Sequence, residues 1–87
     1  MIQFRLHWQP RALDDLADIW IRAPDRQAVN IAVDLIEAQL MANPAGWGTQ
    51  LSEGLYQISI RPIRLLFTWD ANQGIVKVLG ARRWPVG

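Results

Sequence analysis

Cysteine is missing from the 87-residue chain, and histidine occurs once, at His7. The first absence excludes a disulfide framework and thiolate chemistry. The second excludes a multi-histidine metal site. No apolar run nears the roughly 20 residues that cross a bilayer as a helix, so no membrane partner is expected. The opening MIQFRLHWQP lacks the long apolar segment of a secretory leader. The sequence therefore reads as that of a cytoplasmic protein. Repeats, low-complexity tracts and linkers are absent too. That leaves one domain spanning residues 1–87.

Apolar residues make up 51% of the chain and include five tryptophans. That suffices for one core and argues against disorder. The core is nevertheless thin, because a chain this short buries only about 60% of its unfolded surface. Charge is unevenly spread. Residues 1–54 hold four arginines against seven acids, a balance of −3. Residues 55–87 hold Arg61, Arg64, Lys77, Arg82 and Arg83 against Asp70, a balance of +4. A basic C-terminal third suits a polyanion or an acidic partner.

The segment IQFRLHW alternates, with Ile2, Phe4, Leu6 and Trp8 on one face and Gln3, Arg5 and His7 on the other. This is the pattern of a half-buried strand. Pro10 fits the first position of a helix. Leu13, Leu16, Ala17 and Trp20 form its expected buried stripe. Asp18 and Arg22 are placed to pair across one turn. Asp14, Asp15 and Asp18 do not converge on one face, so no metal is expected there. After the break at Ala23-Pro24, Asp25 caps a second helix running to about Asn43, with Val29, Ala32, Val33, Ile36 and Leu40 on one side. Asn43-Pro44 ends it. PAGWGTQLSEG, 44–54, reads as a loop in which Trp47 plugs the space beneath, with an exposed stacking residue as the alternative.

Three strands follow, near 55–60, 63–70 and 75–82. The expected fold class is α+β, in the order β-α-α-β-β-β. A two-helix hairpin covers one face of a four-stranded antiparallel sheet, and the other face stays partly open. Phe4, Leu16, Trp20, Ile36, Ile58, Leu65 and Phe67 are the expected core. A two-residue turn at Arg61-Pro62 sets Ile60 against Ile63, Ile58 against Leu65, Tyr56 against Phe67 and Ser59 against Arg64. Every pair on the inner face is then apolar. Arg64 projects from the outer face, opposite Ala81 or Arg82 according to whether the turn of the next hairpin, at Ala71–Gly74, holds a bulge. With Arg82 and Arg83 it forms a cluster at one end of the sheet. Guanidinium groups suit phosphate and carboxylate. They stay protonated, so a general base has to come from elsewhere, and Gln57, Ser59 and Leu66 on this face supply none.

In its ordered segments the chain resembles the RelE/ParE superfamily, the toxins of bacterial type II toxin–antitoxin modules, also described as plasmid stabilisation proteins. WQPRALDDLADIW is similar to the family's strand end and first helix. LIEAQLMANP resembles its second helix, GLYQISIRPIRLLFTWD its hairpin and VKVLGARR its last strand. The resemblance implies a cytoplasmic partner protein with no cofactor. Its function would be to inhibit an essential process, translation or DNA gyrase, under neutralisation by an antitoxin with an acidic or amphipathic segment. The alternatives are a ribosome-dependent mRNA endoribonuclease of the RelE type and a non-toxic relative of the fold. For the RelE type the resemblance implies Arg64 and Arg82 as catalytic residues, within an RNA- or partner-binding set of Arg61, Arg64, Arg82 and Arg83. Gln57 and Ser59 stand where that branch has lysines, and its C-terminal tyrosine would fall beyond Gly87. The helix DDLADIW looks closer to the gyrase-directed branch, although Gly80 stands where that branch often has a histidine. Weak or absent mRNA cleavage is the expectation.

Overall fold

The computed structural model describes residues 3–84. The chain runs β1 (Arg5–Trp8), α1 (Pro10–Arg22), α2 (Arg26–Ala42), α3 (Pro44–Trp47), β2 (Thr49–Ser52), β3 (Leu55–Ile60), β4 (Ile63–Asp70) and β5 (Ile75–Arg83). The class is α+β, as expected. The sheet has five strands in the order β1-β5-β4-β3-β2 rather than four. It is also mixed, because β1 lies parallel to β5. The long connection through the helices returns the chain to the same edge in either direction, and alternation does not distinguish the two.

The extra strand, β2, lies in the segment expected to be a loop. It is fully exposed, pairs with β3 at the sheet edge, and shifts register between Gln50 and Ser52. An exposed edge strand needs no apolar alternation, so its sequence resembles that of a loop. The one-turn α3 is a third helix where two are expected, also within that loop segment; it is capped by Asn43, whose Oδ1 accepts from the Gly46 N–H at 2.9 Å. Trp47 is 55% exposed and plugs nothing. Buried Pro44 and the Gly48 backbone fill that space instead. A Cβ at Gly48 would collide with the Phe67 ring.

The β3–β4 hairpin has the expected register, including Ser59 opposite Arg64 and Ile60 opposite Ile63. Ile63, Leu65 and Phe67 are fully buried and meet Val76, Val78 and Ala81 of β5 and Val29, Ala32, Ile36 and Leu40 of α2. Of the expected core, Ile36, Ile58, Leu65 and Phe67 are buried, and Phe4 and Leu16 are half-buried against it. Trp20 is not a core residue, being 39% exposed.

The reason lies in the rotation of α1. Ala12 and Ile19 are its buried residues. The line Ala12–Asp15–Ile19 faces β5, where Gly80 and Ala81 let the helix come close. The expected stripe, Leu13, Leu16, Ala17 and Trp20, is turned toward α2. Arg26 fastens this corner. It donates to the Trp20 and Ile21 carbonyls at 3.1 and 3.0 Å, in the last turn of α1, where the Trp20 carbonyl also accepts the Ala23 N–H. Its guanidinium also lies 4.6 Å from the centre of the Trp20 ring. Trp20 is thus covered by an arginine rather than by the core.

Candidate functional site

Two surfaces stand out, one on each side of the sheet. On the open face, Arg64 of β4 lies directly opposite Arg82 of β5. Like charges at directly opposed positions repel. Arg64 is half-buried and donates its Nε–H to Ser59 Oγ at 3.1 Å, which leaves its other N–H groups free of a described partner. Among the described residues the only ion pair is Arg22 with Asp18, so no carboxylate neutralises Arg61, Arg64, Arg82 or Arg83.

Trp84 completes the cluster. Its backbone N–H donates to the Pro62 carbonyl at 2.9 Å, tying the end of β5 to the Arg61-Pro62 turn. The Arg61 and Arg64 guanidinium carbons lie 5.0 and 5.5 Å from the centre of its ring. The structure thus joins Arg61 and Arg64 about one half-buried indole, with Arg82 beside Arg64 across the β4–β5 ladder. Arg83 is separated from Arg64 and Arg82 by the sheet and meets only Arg61, with which it shares a cleft. It stands opposite buried Ile63 and so faces the helix side, where it lines a cleft with Ile19, Ala23, Pro24 and Asp25. The sequence reading missed Trp84. The signal was there in the period of two, which puts residues 82 and 84 on one face.

Further along the open face, His7, Lys77 and Thr68 sit side by side across β1, β5 and β4. Lys77 lies five positions from Arg82 on β5, so His7 belongs to the opposite end of the sheet from the arginines. Among the described residues no group of three His, Cys, Asp or Glu side chains is placed to hold a metal ion. No described helix is long and apolar enough to cross a membrane.

The second surface is a groove of about 640 Å³ between α1 and α2. Leu13, Leu16, Ala17, Trp20, Val29 and Val33 form its apolar part, and Asn30 and Asp34 its polar rim. Leu13 is 51% and neighbouring Ile21 62% exposed. Small soluble domains rarely display such a patch without a use for it.

Solved structures share this architecture. A chain of the toxin–antitoxin complex RelBE2 from Mycobacterium tuberculosis superposes with a TM-score of 0.78, at 18% identity over 94% of this chain and 99% of that one. A chain of the chromosomal ParDE toxin–antitoxin system of P. aeruginosa gives 0.68, at 15% identity over 95% and 98%. The free E. coli toxin RelE, in a variant with two arginines replaced by alanine, gives 0.64, at 18% identity over 93% and 82%. No family model matches the sequence, and no curated protein matches it. The chain has the fold of the RelE and ParE structures.

Proposed function

We propose that this chain is the toxin-like component of a type II toxin–antitoxin module, acting on an essential process such as translation or DNA gyrase and neutralised by an antitoxin. The observation that carries the reading is the end-to-end likeness to a chain of a toxin–antitoxin complex, which leaves almost no residue of either chain outside the shared fold. Its two unpartnered surfaces support the same reading. An amphipathic segment would lay its apolar side in the α1–α2 groove. An acidic stretch would neutralise Arg61, Arg64 and Arg82. The decisive experiment is induction in bacteria with and without the product of the adjacent open reading frame. Growth arrest that the neighbour relieves is the expected result. Unaffected growth would leave a non-toxic relative of the fold.

A second reading, an RNA-cleaving enzyme using Arg64 and Arg82, draws support from Trp84. Guanidinium groups beside a half-buried aromatic ring suit single-stranded nucleic acid, with charge on phosphate and the ring available to a base. Primer extension on mRNA from translating ribosomes tests it, with codon-phased cuts as its signature.

A further inference from the structure

The arginine pair depends on one irregularity in the sheet. From Asp70 opposite Ile75 to Phe67 opposite Val78, the β4–β5 register runs without a break. Between Leu66 and Phe67 it shifts by one residue, so that Leu66 faces Gly80, Leu65 faces Ala81 and Arg64 faces Arg82. Without that extra residue Arg64 would face Ala81, and Arg82 would face Ile63. Since one residue of slip moves a side chain to the opposite face, Arg82 would then point to the helix side. The bulge therefore assembles the cluster.

The bulge lies where β5 loses its other neighbour. Pairing with β1 ends at Trp8 opposite Val78. Three residues further on, the half-buried N–H of Ala81 is taken up by α1, through Asp15 Oδ2 at 3.2 Å. Gly80 makes room, since a Cβ there would come within 3.3 Å of the same oxygen. We infer that Asp15 is a positioning residue: by accepting the Ala81 N–H it holds the bulge in the register that places Arg82 beside Arg64 on the open face. The inference rests on the reading of that pair as an anion site, but its geometric half is tested independently.

The sign of the effect separates position from charge. Asp15 is an acid in the same molecule as the arginines, so removing its charge alone would tighten binding of a polyanion. Losing the position of Arg82 would weaken it. The experiment uses the full chain, a fluorescein-labelled oligouridylate as probe, and backbone NMR. In Asp15→Ala the Ala81 amide should lose its protection from exchange, and the cross-strand contacts pairing residue 64 with residue 82 should fade. Oligouridylate affinity should fall about tenfold. The slope of log K against log salt should shrink by about 0.7, the value of one single-strand phosphate contact. Asp15→Asn, which loses the charge but keeps an accepting oxygen, should retain the pairing and bind at least as well as the natural chain. Gly80→Ala crowds that oxygen without removing it and should shift every readout in the direction of Asp15→Ala, so it serves if the alanine variant does not fold. An intact 64–82 pairing in Asp15→Ala or, failing that, in Gly80→Ala overturns the inference whatever the affinity. If the natural chain does not bind the probe, the anion-site reading fails, and the NMR comparison still decides the role of Asp15.

Discussion

Arg64 gives its Nε–H to Ser59 and lays its guanidinium toward the Trp84 ring, and among the described residues no acid pairs with it. The first two contacts stabilise the fold modestly. A net hydrogen bond contributes about 0.5–1.5 kcal/mol, and an exposed cation–π contact about 0.5–1. Repulsion from Arg82 opposes them. Arg64→Ala should therefore change stability by no more than about 1 kcal/mol, read from denaturant midpoints. The same variant should bind oligouridylate or an acidic peptide more weakly, most visibly at low salt, because screening erases exposed charge contacts. A large loss of stability with unchanged binding would make Arg64 a structural residue instead. Trp84→Ala should also weaken oligouridylate, but with little change in salt slope, since stacking on an aromatic ring releases no counterions.

Among the elements, the β3–β4 hairpin is the part most readable from sequence. Its turn is short, its inner pairs are all apolar, and period two leaves a single register that buries them. Leu65 sits at its centre with no exposure, so Leu65→Ala should cost about 2–5 kcal/mol in chemical denaturation. The two long helices, α1 and α2, are readable in extent but not in rotation, and the single turn of α3 is not readable at all. Alpha-helical spacing marks Leu13–Leu16–Ala17–Trp20 as an apolar stripe, and the stripe exists. It faces a groove because Asp15 binds β5 and small residues at 12, 80 and 81 allow the closer approach on that side. A carboxylate holding a backbone N–H across 66 positions leaves no trace in local pattern. Both Ala81 and Arg82 are possible partners for Arg64 from the sequence, but the bulge that decides between them lies within the strands at Leu66–Phe67 rather than in the turn where it is expected. The edge strand β2 carried no signal because nothing on it is buried. As a check on the rotation, Trp20→Ala should cost less than the 3–5 kcal/mol typical of an emptied core tryptophan. A loss in that full range would return Trp20 to the core.

At the scale of the whole molecule, the groove and the arginine cluster are on opposite sides of one sheet, so a single segment cannot fill both without wrapping an edge. The two surfaces also differ in chemistry, which makes their contributions to a neutralising partner separable. Leu13→Asp places a charge in the groove at a position already half exposed, and should leave stability within about 0.5 kcal/mol of the natural chain. If the adjacent gene product docks there, the same change should cost it more than about tenfold in affinity, as for a residue at the centre of an apolar contact. Its salt dependence should change less than in Arg82→Ala, because no ion pair is lost and the added charge repels an acidic stretch only from across the sheet. Arg82→Ala should do the reverse, lowering both affinity and salt slope. The double variant should then lose about the sum of the two free energies, since the sites lie on separate faces and share no side chain. Calorimetric titration of the four proteins at two salt concentrations measures all of this. A partner indifferent to Leu13→Asp uses the open face alone, and one indifferent to Arg82→Ala uses the groove alone. Indifference to both would remove the two-surface description of neutralisation.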